Sequence, residues 1–169
     1  MKQKSKKDKG FGKYAVVVAA VLIVGITVFY SYSADQAKLR GYEFGNNLQV
    51  IQDDLKKLQA EFESKITMWK ENELSTDEFL AYSQTHFEQM EALILLYDNL
   101  STPDAFVSAV KLFKLSTQTQ LESDKQLVEW IKTGDDSAKV RSDSLLQESF
   151  EYEMAALASY NLAKGQSGT

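Results

Sequence analysis

The side chains able to do chemistry are few in this chain, and their types narrow what that chemistry could be. His86 is the one histidine and there is no cysteine. Thiolate metal sites, thiol catalysis and disulfide frameworks are therefore excluded. The Glu-x-x-His pattern that a di-iron helical bundle uses is absent. Asp135, Asp136 and Asp143 lack the central glycine of a calcium loop and are better explained as helix-capping and solvated carboxylates. No glycine-rich phosphate loop follows a strand, and no Gly-x-Ser-x-Gly elbow is present. The expectation is a protein that is not an enzyme and that uses no metal and no cofactor. Asn99-Leu100-Ser101 is a glycosylation sequon.

A different kind of chemistry is suggested by polar residues that fall on core positions. A heptad-like frame through Phe106, Val110 and Phe113 brings Thr117, Gln120 and Asp124 inward before Leu127 and Ile131 resume it. A frame through Phe79, Met90, Leu93, Tyr97 and Leu100 passes through Ser83 and His86. Counting from the turns sets His86 level with Asp124 and Gln120, and these level with Ser149 and Tyr152. Glu153 lies between Phe150 and Leu157 on an apolar side of its helix. Buried polar groups cost free energy unless paired, so these eight residues are expected to form an internal hydrogen-bonded belt. Such a belt fixes register and partner choice in a bundle. The alternatives are a small-ligand pocket, or a different helix rotation that leaves these side chains on the surface.

The elements that must position the belt follow from periodicity. Leu48, Ile51, Leu55, Leu58, Phe62, Ile66 and Trp69 recur at spacings of three and four, the seam of a long amphipathic helix. Ser75-Thr76-Asp77-Glu78 has the form of a capping box opening a second helix. Ser101-Thr102-Pro103 offers a cap and a first-turn proline for a third. Gly134 stops that helix, and Asp135, Asp136 and Ser137 can cap a fourth. The predicted helices run over about 35–73, 76–100, 103–133 and 136–164. No strand alternation competes, so the expected fold class is all-α: an antiparallel four-helix bundle with coiled-coil-like seams over residues 47–164, followed by a flexible tail at 165–169. The first helix exceeds the second by about 12 residues, roughly 18 Å at 1.5 Å per residue, and residues 35–46 are read as a stalk.

Residues 14–34 carry no charge and, at about 21 residues, give roughly 31 Å of helix, the thickness of a hydrocarbon core. Six lysines stand against Asp8 in the basic segment 1–13. The positive-inside bias therefore keeps the N-terminus in the cytoplasm and sends the remainder outside. The expectation is a single-pass cell-membrane anchor. Two alternatives remain: a cleaved signal, with small residues at Ser31 and Ser33, and a prepilin-type leader cut after Gly10. Removing those six lysines and Asp8 from the chain's 19 basic and 24 acidic residues leaves 13 against 23, a net charge of minus 10 over residues 35–169. That balance argues against nucleic acid as a partner.

The segments "VKLFKLSTQTQLESDKQLVEWIKTGD" and "RSDSLLQESFEYE" are similar to a family of membrane-anchored helical proteins of archaea, over roughly the last 90 residues. The resemblance implies an architecture and a location but no activity. In architecture the domain is also similar to the four-helix sensor domains of chemoreceptors, which have a second span and a signalling module. The function expected on these grounds is a membrane-anchored extracytoplasmic interaction or scaffolding protein, an accessory part of an envelope complex. Its partners are the membrane and a protein of unknown identity, and a homo-oligomer is compatible with the sequence. The alternative is a small-ligand-binding or sensory module that acts with a separate signalling partner.

Overall fold

The computed structural model describes the backbone of residues 11–166 and the side chains of residues 41–165. It comprises four helices, α1 (Phe11–Lys70), α2 (Thr76–Asp98), α3 (Val107–Thr133) and α4 (Asp136–Gln166), with a 3-10 turn at Asp104–Phe106. No strand occurs among the described residues. The chain divides into two compact units, Met1–Tyr42 and Glu43–Thr169. The basic segment 1–13, the expected span at 14–34 and the first half of the expected stalk, 35–40, lie outside the residues whose side chains are described. Among the described residues no helix is long and apolar enough to cross a membrane.

The helix ends follow local chemistry. At the end of α1, Asn72 takes a left-handed φ of 61°. The amide of Asn72 donates to the Trp69 carbonyl and that of Glu73 to the Met68 carbonyl, a Schellman motif with asparagine in place of glycine. Ser75 caps α2 through a complete capping box with Glu78. Gly134, at φ 73°, returns its amide to the Trp130 carbonyl and closes α3. The Asp135 carboxylate accepts the Ser137 amide at 2.9 Å and caps α4.

The start of α3 departs from expectation. Asp104–Phe106 form a 3-10 turn, preceded by an extended Pro103, instead of the first α-helical turn, and neither Ser101 nor Thr102 caps α3. Thr102 instead donates its hydroxyl to the Leu100 carbonyl. The turn carries Phe106 against Phe44 and Tyr160, with ring centroids 5.2 and 5.1 Å away. Phe44, placed by the sequence in an unpaired stalk, is consequently only 2% exposed.

Within the unit from Glu43 onward the core changes character along its length. At one end Phe44, Leu48 and Ile51 of α1 pack with Leu93 and Tyr97 of α2, Val110 and Phe113 of α3, and Ala156 and Tyr160 of α4. At the other end Phe62, Ile66 and Trp69 of α1 pack with Phe79 of α2 and Leu127, Val128 and Ile131 of α3, with no α4 residue in the cluster. There, α4 is held through α3 instead. Ser116 and Ser123 donate their hydroxyls to the backbone carbonyls of Ser149 and Ser142, both at 2.8 Å. The two bonds are seven residues apart on both helices, so they fix an antiparallel register that also sets buried Ala109 opposite buried Ala156. A hydroxyl reaches a facing helix backbone only where both surfaces are made of small residues, and this seam is built from Ala and Ser.

Candidate functional site

Where the two kinds of packing meet, one polar layer draws a side chain from every helix. Nε2 of His86 donates to Asp124 Oδ2 at 3.0 Å. Gln59 Nε2 donates to the same oxygen, and Gln120 Nε2 to Oδ1, each at 3.1 Å. Ser149 donates its hydroxyl to Gln120 Oε1 at 3.1 Å. Because a carboxylate only accepts, both amides must aim their nitrogens at Asp124, and this fixes their orientation. His86 is fully buried, and Asp124 is 3% exposed. The imidazole stacks on Phe62, with centroids 4.2 Å apart and planes 8° from parallel. Its Nδ1 is buried without a partner. Because the Asp124 carboxylate only accepts, Nε2 carries a proton.

A second polar chain crosses the bundle nearer Phe44. Thr117 donates to the Phe113 carbonyl, Tyr97 to Thr117, and Gln52 to the Tyr97 oxygen. Burial pushes the Tyr97 hydroxyl above its ordinary pKa, its hydrogen bonds with Thr117 and Gln52 oppose that, and Glu153 adds to it. Tyr82, one turn before His86, is likewise raised by burial, with Glu61 and Asp124 adding to it. Its hydroxyl has no partner.

The eight expected belt residues therefore separate. His86, Gln120, Asp124 and Ser149 share one network, and Thr117 belongs to the Tyr97 chain. Ser83 is buried but donates to the Phe79 carbonyl of its own helix, so it joins neither. Tyr152 is not an internal member: its hydroxyl donates to Glu148 at the surface, and that bond raises its pKa. Glu153 is half-buried at the surface of α4. The apolar side on which it was placed, carrying Phe150 and Leu157, faces outward, and Phe150 is 59% exposed. The inward residues of α4 are Ser142, Ser149, Ala156 and Ala163, whose small size the α3 seam requires. Asn99, exposed at the end of α2, donates its amide to the Leu95 carbonyl.

Sequence reasoning missed Gln59, Ser116, Ser123 and Ser142. Gln59 sits between Leu58 and Phe62 on the buried side of α1. For the serines a signal existed: small residues recur every seventh position at 109, 116 and 123, and again at 142, 149, 156 and 163.

The layer opens onto a cleft. Because α4 leaves the core at this end, a space of about 330 Å³ lies between α1 and α4, with α3 as its floor. Gln59, Gln120 and Asp124 line it together with Phe62, Trp130 and Leu146. Lys70, Glu63, Lys139 and Asp143 stand at its rim, the last two joined as an ion pair. No group of His, Asp or Glu able to hold a metal ion occurs among the described residues. No protein-family model, curated protein or solved structure matches the chain.

Proposed function

We propose that the chain is a membrane-anchored interaction module, held by residues 14–34, that presents its helical unit outside the cytoplasm to a protein partner. The observation that carries the reading is the inverted distribution of side chains on α4. This helix buries Ala138, Ser142, Ser149, Ala156 and Ala163 and leaves Leu146, Phe150, Met154 and Leu157 exposed as one ridge. A helix whose largest apolar residues face outward in a continuous stripe has a second surface to cover.

Charge favours one class of occupant. Between Arg141 and Lys164 the helix has no basic residue, while Asp143 and Glu153 lie along or beside the ridge. A second copy would set like charges against one another. The complementary partner is an amphipathic helix whose apolar stripe is flanked by Lys or Arg. In the full chain in its native membrane, a photo-cross-linking side chain at position 150 should join one membrane protein through a helix with basic flanks, and the same group at exposed Lys132 should not. Cross-linking to a second copy, or equal yields at both positions, would overturn the reading.

A further inference from the structure

The last two turns of α2 carry an apolar patch that docking on α4 does not account for. Leu95 and Leu96 are 61% and 43% exposed, and Ala92 beside them is exposed as well. Residues three, four and seven apart lie on one side of a helix, so Asn99 stands on the same side as all three, at the edge of the patch. Beside Leu96 the surface sinks into a hollow of about 360 Å³ between α1 and α2. Leu58, Ala92 and Leu93 supply its apolar lining, and Asp54, Lys57 and Gln89 its polar groups. Such a surface suits a group that presents C–H faces and hydroxyls together.

Asn99 is itself placed to carry such a group. Asn99-Leu100-Ser101 is the acceptor pattern for N-linked sugar, and no other asparagine of the chain has Ser or Thr two positions on. Asn99 and Ser101 are both exposed. Because α2 ends at Asp98 and the 3-10 turn opens at Asp104, the pattern lies in the connection between helices. The Ser101 hydroxyl has no hydrogen-bond partner among the described residues. The backbone gives no separate reason for asparagine here: Asn72 stops α1 in the left-handed region, whereas Asn99 has φ −92°. Its Nδ2 donates one bond to the Leu95 carbonyl, and an N-linked asparagine keeps one hydrogen on that nitrogen for it.

We infer that Asn99 is the attachment site of an N-linked saccharide that lies back over Leu95 and Leu96 toward the α1–α2 hollow. The inference rests on the location proposed above, with the helical unit outside the cytoplasm. The donor class is an oligosaccharide carried on a polyisoprenoid phosphate or pyrophosphate. Asn99 Nδ2 forms a bond to the anomeric carbon of the first sugar, and the bond from that carbon to the phosphate oxygen breaks. The lipid phosphate leaves with the electron pair, one amide hydrogen leaves as a proton to a base of the transferase, and nothing is oxidised or reduced. Ala92 lies about 10 Å back along α2 at 1.5 Å per residue, within reach of the first sugars.

Mass spectrometry of the full chain purified from its native membrane should find a saccharide on the peptide that contains Asn99. Asn99→Gln and Ser101→Ala should each remove it, and Ser101→Thr should keep it, which separates the acceptor pattern from an effect on folding. Hydroxyl-radical labelling of Leu95 and Leu96 should be at least twofold lower in the saccharide-bearing chain than in Asn99→Gln. Location is read separately. The chain has no cysteine, so Lys132→Cys, at an exposed position, should react with a membrane-impermeant maleimide applied to intact cells. Reaction at position 132 together with an unmodified Asn99 would overturn the inference and leave the location standing. An unmodified Asn99 with no reaction at 132 until the cells are permeabilised would overturn both. A saccharide that survives Ser101→Ala, or equal labelling of Leu95 and Leu96 in the two chains, would also overturn the inference.

Discussion

Replacing Asp124 alone should destabilise the helical unit more than replacing Asp124 and His86 together. With Asp124→Leu, the Nε2 proton of a fully buried imidazole loses its only acceptor, and both ring nitrogens are then stranded. Leaving such a donor unpaired costs about 1–3 kcal/mol. Gln59 and Gln120 lose the same acceptor but can turn to water in the cleft, and the added leucine volume can extend into that space, so their share is small. His86→Leu is milder: Asp124 retains both amide donors, and the substitution removes a nitrogen that already lacks a partner, for a cost of about 1 kcal/mol. In the double variant neither orphan remains, and an apolar pair of similar volume is often neutral or stabilising. With single costs of about 1–3 and about 1 kcal/mol and a double variant near zero, the coupling between the two sites should be about 2–4 kcal/mol. Urea denaturation of the unit from Glu43 to Thr169 in a double-mutant cycle measures it. A loss of about 2 kcal/mol moves the midpoint by about 1 M at ordinary urea slopes. If Asp124→Leu costs less than about 0.5 kcal/mol, or the two effects add without coupling, His86 and Asp124 are not a buried, mutually dependent pair and the reasoning fails.

The α3–α4 seam predicts that Ala156→Leu, which forces a large side chain against Ala109, costs about 1–3 kcal/mol by thermal melting, whereas Leu162→Ala on the exposed side has little effect. Gly134→Ala should lower stability by about 1 kcal/mol because of its left-handed φ, while Gly41→Ala, in a helix with open space around its Cα, should raise it by about 0.5–1 kcal/mol; equal effects would contradict both assignments. Hydrogen bonds from the Ser75 hydroxyl and amide hold the Glu78 carboxyl below its ordinary value of 4.5. A carboxyl depressed in the folded state adds stability that is full above that value and is lost as pH falls through the folded pKa. Ser75→Ala should therefore lower the melting temperature at pH 7 and narrow the difference between pH 7 and pH 3.

How much of this was legible in the sequence depends on the range of the interaction concerned. Helix existence and most helix ends are set within a few residues, so the Ser75–Glu78 box, the stop at Gly134 and the cap at Asp135 could be read directly. That His86 and Asp124 face each other also followed, because both lie on helices with a single strong apolar stripe and a short count from a turn. Helix α4 was different. It carries two faces that could be buried, one of Ala and Ser and one of Leu, Phe and Met, and periodicity alone favours the larger side chains. Which face turns inward was decided by the neighbour: Ala109, Ser116 and Ser123 on α3 leave room only for small residues and reward close approach with hydroxyl-to-carbonyl bonds. The same choice pulled α4 away from α1, opened the cleft beside Asp124, and moved Phe150 and Tyr152 to the surface. Local chemistry along the chain determined where helices begin and end, whereas shape complementarity between helices distant in sequence decided their rotation, and with it which residues could meet.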